Sequence, residues 1–230
     1  MIKNKHVDII IKNASQLVTA ASTIPKTGLE LRNLGIVFDG ALGIIDGMIS
    51  CVGSTEEILR TFTADTIIDA SQKVVMPGFV DPHTHPIFVK TRENEFEMRL
   101  QGKSYKEISQ TGGGIRASIQ DVRNASLEEL VNLGLKRINK MLEMGTTTIE
   151  AKSGYGLTTD SEIKMLKAIK KTNDISDMEI IPTFLGAHEY PEEYKDDHEK
   201  YIEILINEML PSVKEQNLAE YCDIFCEEHV

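Results

Sequence analysis

Cysteine is scarce: Cys51, Cys222 and Cys226 are the only three in 230 residues, an odd number that makes no complete disulfide framework. The N-terminal stretch MIKNKHVDIIIKNAS has neither the long apolar core nor the small-residue cleavage site of a signal peptide. A reducing cytoplasm is the expected compartment. No apolar run approaches the roughly 18 to 20 residues that cross a bilayer, so no membrane partner is expected. Basic residues are in deficit too, 25 Lys and Arg against 36 Asp and Glu, a formal net charge of −11 with no basic cluster. Phosphate neutralisation therefore has no source, which argues against nucleic acid and for a small-molecule substrate.

What is present is enough apolar side chain, 41%, to build a core. Residues 1–76 read as short strands and turns, VDIIIKN, ALGIIDGMISCVG and TIIDASQKVVMPG, with one helix in STEEILRTF. Asp46-Gly47 between two apolar runs predicts a type I′ hairpin, whose central residues both need positive φ. Residues 77–230 alternate strand and helix. Strands are expected to start near residues 78, 146, 179 and 219. The helix before the second of them is predicted to be capped by Ser126 and Glu129 as S-x-x-E and to end at Gly145. Further helices are expected over ENEFEMRLQ, from Ser161 to Lys171 and around Tyr201 to Glu215. Strands alternating with helices predict a parallel sheet with right-handed crossovers. A (β/α)8 TIM barrel needs eight strands, so the fold class is α/β: a partial barrel of about four strands with a small N-terminal β domain.

Only six histidines occur, and two of them stand in VVMPGFVDPHTHPIF at the end of the first barrel strand. At i and i+2 on a strand, His83 and His85 point the same way and offer two imidazoles to a metal ion. In parallel barrels the C-terminal strand ends are where chemistry is done. His188 ends the third strand after FLGA and faces the same mouth. Its spacing is compatible with a substrate contact or with a third metal ligand. Asp81 could orient one of the histidines or satisfy local backbone donors. Cys222 and Cys226, four apart, are read as buried small hydrophobes on one strand face. The glycine run TGGGIRAS has no Gly-Lys-Ser/Thr and reads as a tight loop or plain turn, not a phosphate cradle. His6, His198 and His229 have no context that singles them out.

The stretch PGFVDPHTH resembles the first-strand signature of the amidohydrolase superfamily, metal-dependent hydrolases on a TIM barrel flanked by a β-sandwich domain. TRENEFEMRLQGKSYKEI, TGGGI, GTTTIEAKSGYGL, FLGAH, PEEY and LAEYCDIFCEE are similar to the imidazolonepropionases within it. That resemblance implies that residues 1–76 are the N-terminal part of a composite β-sandwich and 77–230 the N-terminal half of the barrel. It implies a metal ion, divalent or trivalent, Zn or Fe, on His83 and His85. It also implies substrate contacts at Arg92, Tyr155 and His188, with His188 taking part in catalysis. The implied reaction is opening of 4-imidazolone-5-propanoate by water to N-formimidoyl-L-glutamate. The planar fork of Arg92 suits the substrate carboxylate, with an ion pair to Glu93 or Glu95 as the structural alternative. Tyr155 lies between two glycines, where the backbone can bend sharply.

The same resemblance places a third histidine ligand and an aspartate ligand in strands that this sequence does not contain. The sequence is therefore expected to be the N-terminal part of a longer enzyme, or a chain that another subunit completes, with a homodimer one open state. Another amidohydrolase, acting on a different cyclic amide or as a deaminase, is the alternative activity. A non-catalytic truncated chain is the alternative of a different class.

Overall fold

A computed structural model describes residues 5–104, 107 and 115–227. It divides into two units, Met1–Pro77 and Gly78–Val230. Thr111 to Gly114 of the glycine run and His229 lie outside the described residues.

The first unit is built on β1 (Lys5–Val18), which pairs antiparallel with β2 (Ile36–Ile45). The other side of β1 is shared by two parallel strands, β4 (Phe62–Asp69) along its first half and the short β5 (Val74–Val75) along its second. β3 (Met48–Ser54) returns against β2 through Asp46-Gly47, whose φ values of 50° and 76° are the two positive angles a type I′ turn demands. The expected sandwich shows here as one layer, a five-stranded mixed sheet with α1 (Thr55–Thr61) against it. Ser54 caps α1 in a full reciprocal capping box with Glu57. Val7, Ile10, Ala41 and Ile58 are buried together, joining one sheet face to the helix.

The second unit is a sheet of four parallel strands in the order β6 (Phe79–Thr84), β7 (Thr146–Lys152), β8 (Glu179–Ala187), β9 (Tyr221–Ile224). Helices α2 (Glu93–Leu100), α3 (Ile115–Asn124) and α4 (Leu127–Glu143) fall between β6 and β7, and α5 (Thr159–Ile175) between β7 and β8. Ser126 accepts the Glu129 amide as the cap of α4, and Gly145 follows the helix at φ +96°. The apolar stripe of α4, with Leu130, Val131 and Ile138 buried, meets Ile163, Leu166 and Ile169 of α5 and Ile149 and Ile180 of the sheet in one core. Burial of such side chains at about 1.5–3 kcal/mol each is what holds the helices on the sheet.

Between β8 and β9 the chain is helical from His198 to Glu215, longer than the stretch expected around Tyr201 to Glu215, and it is not uniform. α6 (His198–Ile204) widens into a π segment, Leu205–Met209, before α7 (Leu210–Glu215). Pro211 explains the widening, because it has no N–H to return to the preceding turn and its ring crowds that turn's carbonyl. The Leu210 amide bonds instead to the Leu205 carbonyl, five residues back.

One expectation is corrected. Cys222 and Cys226 are exposed, not buried, among the described residues, and β9 stops at Ile224, so they share no strand face. Of the two roles open to Asp81, the structure shows the local one: its Oδ1 accepts the backbone amide of His83 at 3.3 Å. No helix among the described residues is long and apolar enough to cross a membrane.

Candidate active site

Because all four strands of the second unit run the same way, their C-terminal ends come together, and each brings a side chain to that edge. His83, in β6, and His85, just beyond it, have ring centroids 5.8 Å apart. His188, just past β8, stacks on His85 at 4.8 Å and nearly parallel. Tyr155, in the loop after β7, lies 5.1 Å from His85 and 5.4 Å from His188. Phe225, after β9, closes the group edge-on to His188 at 6.1 Å. Four of the five residues singled out in the sequence are thus one cluster.

Arg92 is the exception. It precedes α2, donates from Nη2 to Ser118 Oγ at 2.8 Å and keeps Nε 3.9 Å from Glu95. It lines an open cleft with Lys90, Arg116 and Asp121. The ion-pair alternative for Arg92 is therefore realised in part. Its charge still reaches Tyr155: burial raises the phenol pKa, and Arg92 works against that rise.

Electrostatics favour uncharged imidazoles. Burial, with His188 and His83 alongside, pushes the His85 pKa down to about 4. Burial also lowers His188. At neutral pH both rings are neutral, the state in which an imidazole nitrogen can bind a metal or accept a proton. His85 Nδ1 is buried with no hydrogen-bond partner, an orphaned atom of the kind a ligand or ion would satisfy. The pair fits half of a metal site. Among the described residues, no group of three His, Cys, Asp or Glu side chains is placed to hold an ion.

Two supporting constellations were not foreseen. Lys152, buried at the end of β7, places Nζ 2.7 Å from Glu150 Oε1 and 2.8 Å from Asp223 Oδ2 of β9. Thr183 of β8 donates to the same Glu150 oxygen at 2.6 Å, and Thr84 of β6 donates to the Glu150 carbonyl at 2.6 Å. One polar chain thus links all four strands. The second constellation is Glu162 of α5, fully buried, whose carboxylate accepts the amides of Gly154, Gly156 and Leu157. The only advance signals were a lysine among apolar strand residues and an acid in the first turn of a helix, and neither names its partner.

Sequence comparison adds what geometry alone does not. A model described as "Amidohydrolase family" matches residues 66–120. The imidazolonepropionase of Solibacter usitatus is 48% identical over 225 residues, 97% of this chain and 54% of that protein. That of Alkaliphilus oremlandii is 44% identical over 229 residues, 98% of this chain and 54% of its own length. The chain is a relative of the imidazolonepropionases. It spans about half the length of the curated imidazolonepropionases that it matches. Among solved structures, the guanine deaminase of E. coli aligns with TM-score 0.57 at 16% identity, over 86% of this chain and 42% of that one. An adenosine deaminase from Xanthomonas campestris with bound zinc aligns at 0.53 and 16% identity, over 95% of this chain and 42% of that one. At such identities the likeness is one of fold, and the four-stranded parallel sheet is a partial barrel of the kind these enzymes contain.

Proposed function

We propose that this chain carries one half of the active site of an imidazolonepropionase, the enzyme that hydrolyses 4-imidazolone-5-propanoate to N-formimidoyl-L-glutamate in histidine degradation. The observation that carries the reading is the convergence of His83, His85, Tyr155 and His188 at the ends of three neighbouring parallel strands. In this reading His83 and His85 are two ligands of a divalent ion such as zinc or iron, and the remaining ligands come from outside the described residues. A cation bound there would supply Lewis acidity, polarising the ring carbonyl and easing deprotonation of water.

The residues of this chain do the rest. Arg92 turns from Ser118 to the propionate, a rotation its half-open position permits. Tyr155 stacks beside the imidazolone ring and offers its hydroxyl, which burial keeps protonated and able to donate. His188, neutral, accepts or returns a proton at the ring amide, as a group of lowered pKa can near pH 7. Three free thiols suit a cytoplasmic setting.

The test is a metal titration followed by turnover. Zinc binding by the chain should vanish when His83 and His85 are both replaced by Ala, and full retention of zinc by that variant would refute the assignment. Turnover of imidazolone propionate in preference to a dihydropyrimidine or a purine, by the chain alone or with a complementing half, separates this activity from other amidohydrolases.

A further inference from the structure

We propose that Glu162 is a positioning residue that fixes the tautomer and aim of His188 through the backbone of the 154–157 loop. Glu162 has no exposed surface and touches neither His188 nor Tyr155 by a hydrogen bond of its own. Its two carboxylate oxygens accept three amides: Oε2 takes Gly154 N at 3.0 Å, and Oε1 takes Gly156 N at 2.7 Å and Leu157 N at 2.9 Å. Those bonds hold the peptide before Gly154 and the peptide after Tyr155. The peptide between them, which bears the Gly154 carbonyl, is pinned from both sides. From the opposite face Arg123 donates to the carbonyls of Gly156 at 2.8 Å and Leu157 at 3.3 Å.

The pinned carbonyl is the partner of His188. Gly154 O lies 2.9 Å from His188 Nδ1. A carbonyl only accepts, so Nδ1 holds the proton and Nε2 is left as the acceptor of a neutral ring. The approach is close enough to need glycine: at φ +105° a Cβ on residue 154 would fall 2.7 Å from Leu185 O and 2.9 Å from His188 Nδ1. Two residues of the loop, Gly154 and Leu157 (φ +52°), are in the left-handed region, a conformation costly for leucine unless other bonds impose it. Glu162 and Arg123 supply those bonds. The loop is thus held to one shape by a carboxylate whose distant effect is the proton on His188.

The inference deepens the reading of His188 as a substrate-contacting group, but its test needs neither substrate nor metal. A failure of the proposed activity is therefore distinguishable from a failure here. The experiment is side-chain ¹⁵N NMR of the whole chain, with His188 assigned by difference against His188→Asn. In the unaltered protein His188 should be dominated by the Nδ1–H form. In Glu162→Gln, an amide with one oxygen and an NH₂ group cannot accept all three backbone donors. The ratio of Nδ1–H to Nε2–H should fall about fivefold, the value of one net hydrogen bond. A folded Glu162→Gln protein with an unchanged ratio, even one that melts earlier, overturns the proposal and leaves Glu162 a purely structural residue. Should Glu162→Gln not fold, Arg123→Gln, which frees the same loop from the carbonyl side, decides: a shifted ratio supports the proposal and an unshifted one overturns it.

Discussion

Replacing Lys152 by Met tests whether the polar chain that links the four strands is a charge clamp or merely packing. The ammonium is buried and touches two carboxylates, at 2.7 and 2.8 Å, on two different strands. Removing one partner of a buried ion pair costs about 3–5 kcal/mol, because the other charge is left without compensation. Here the figure is discounted, since Asp223 is 42% exposed and Glu150 21%, and water reaches both once the ammonium is gone. About 2–3 kcal/mol remains, which in a chain of this size lowers Tm by about 5–10 °C.

The pH dependence of that loss is the sharper signature. Burial acts to raise the Glu150 pKa, but hydrogen bonds from Lys152 and Thr183 outweigh it and the net shift is downward. The bond from Lys152 is the main cause that lowers Asp223. For Lys152, burial acts downward and the two carboxylates overcome it, so its pKa is raised. Lowered carboxylates stabilise above their unfolded pKa, and that stability is lost as pH falls through the folded value. A raised lysine stabilises below its unfolded pKa and loses that contribution as pH rises through the folded one. The clamp is therefore at full strength between about pH 4 and about pH 10. Thermal melts of both proteins should show the widest gap near neutrality, closing below about pH 4, where protonation dissolves the clamp in one protein and the carboxylate repulsion in the other. A gap of the same size at pH 7 and pH 3.5, or a Tm difference under about 1 °C, would refute the clamp.

Two further outcomes are expected. Tyr201→Phe removes the hydroxyl that donates to Gly186 O at 2.8 Å in the core and should cost about 1–2 kcal/mol in a urea melt, with an unchanged midpoint showing that the carbonyl finds another donor. Gly154→Ala forces a left-handed φ on alanine and drives a Cβ against a backbone oxygen that cannot yield, so it should lose at least about 2 kcal/mol and shift the His188 signals. Unshifted signals in that variant would mean that the loop relaxes without moving the ring.

What could be read in advance follows from periodicity. The starts of the barrel strands announce themselves because Pro77-Gly78, Gly145 and the helix caps punctuate apolar runs, and parallel strands then bring their ends together without further information. His83, His85 and His188 were visible for that reason, whereas Tyr155 was named only through the resemblance to the imidazolonepropionases. The aim of Arg92 was not, since a side chain ahead of a helix can turn either way, and Ser118, its partner, is 26 positions on. Lys152 was invisible as a clamp because Asp223 lies 71 positions away, and Glu162 because its partners are backbone amides that no side-chain pattern encodes. The cysteines were misjudged by extending the last strand to Cys226, when it stops at Ile224.

The π segment has a consequence for phase. Tyr201, Leu205, Met209 and Val213 are all buried, four residues apart each time. In an unbroken α-helix each four-residue step overshoots a full turn by about 40°, so over three steps the last side chain would drift by about 120° from the first. A wider turn takes back part of that overshoot. Pro211, which would otherwise count as a defect, is thus what keeps a four-residue repeat facing one wall, and deleting a single residue from 205–209 would restore an unbroken α-helix in which Val213, then eleven positions after Tyr201, lies within about 20° of it on that same wall.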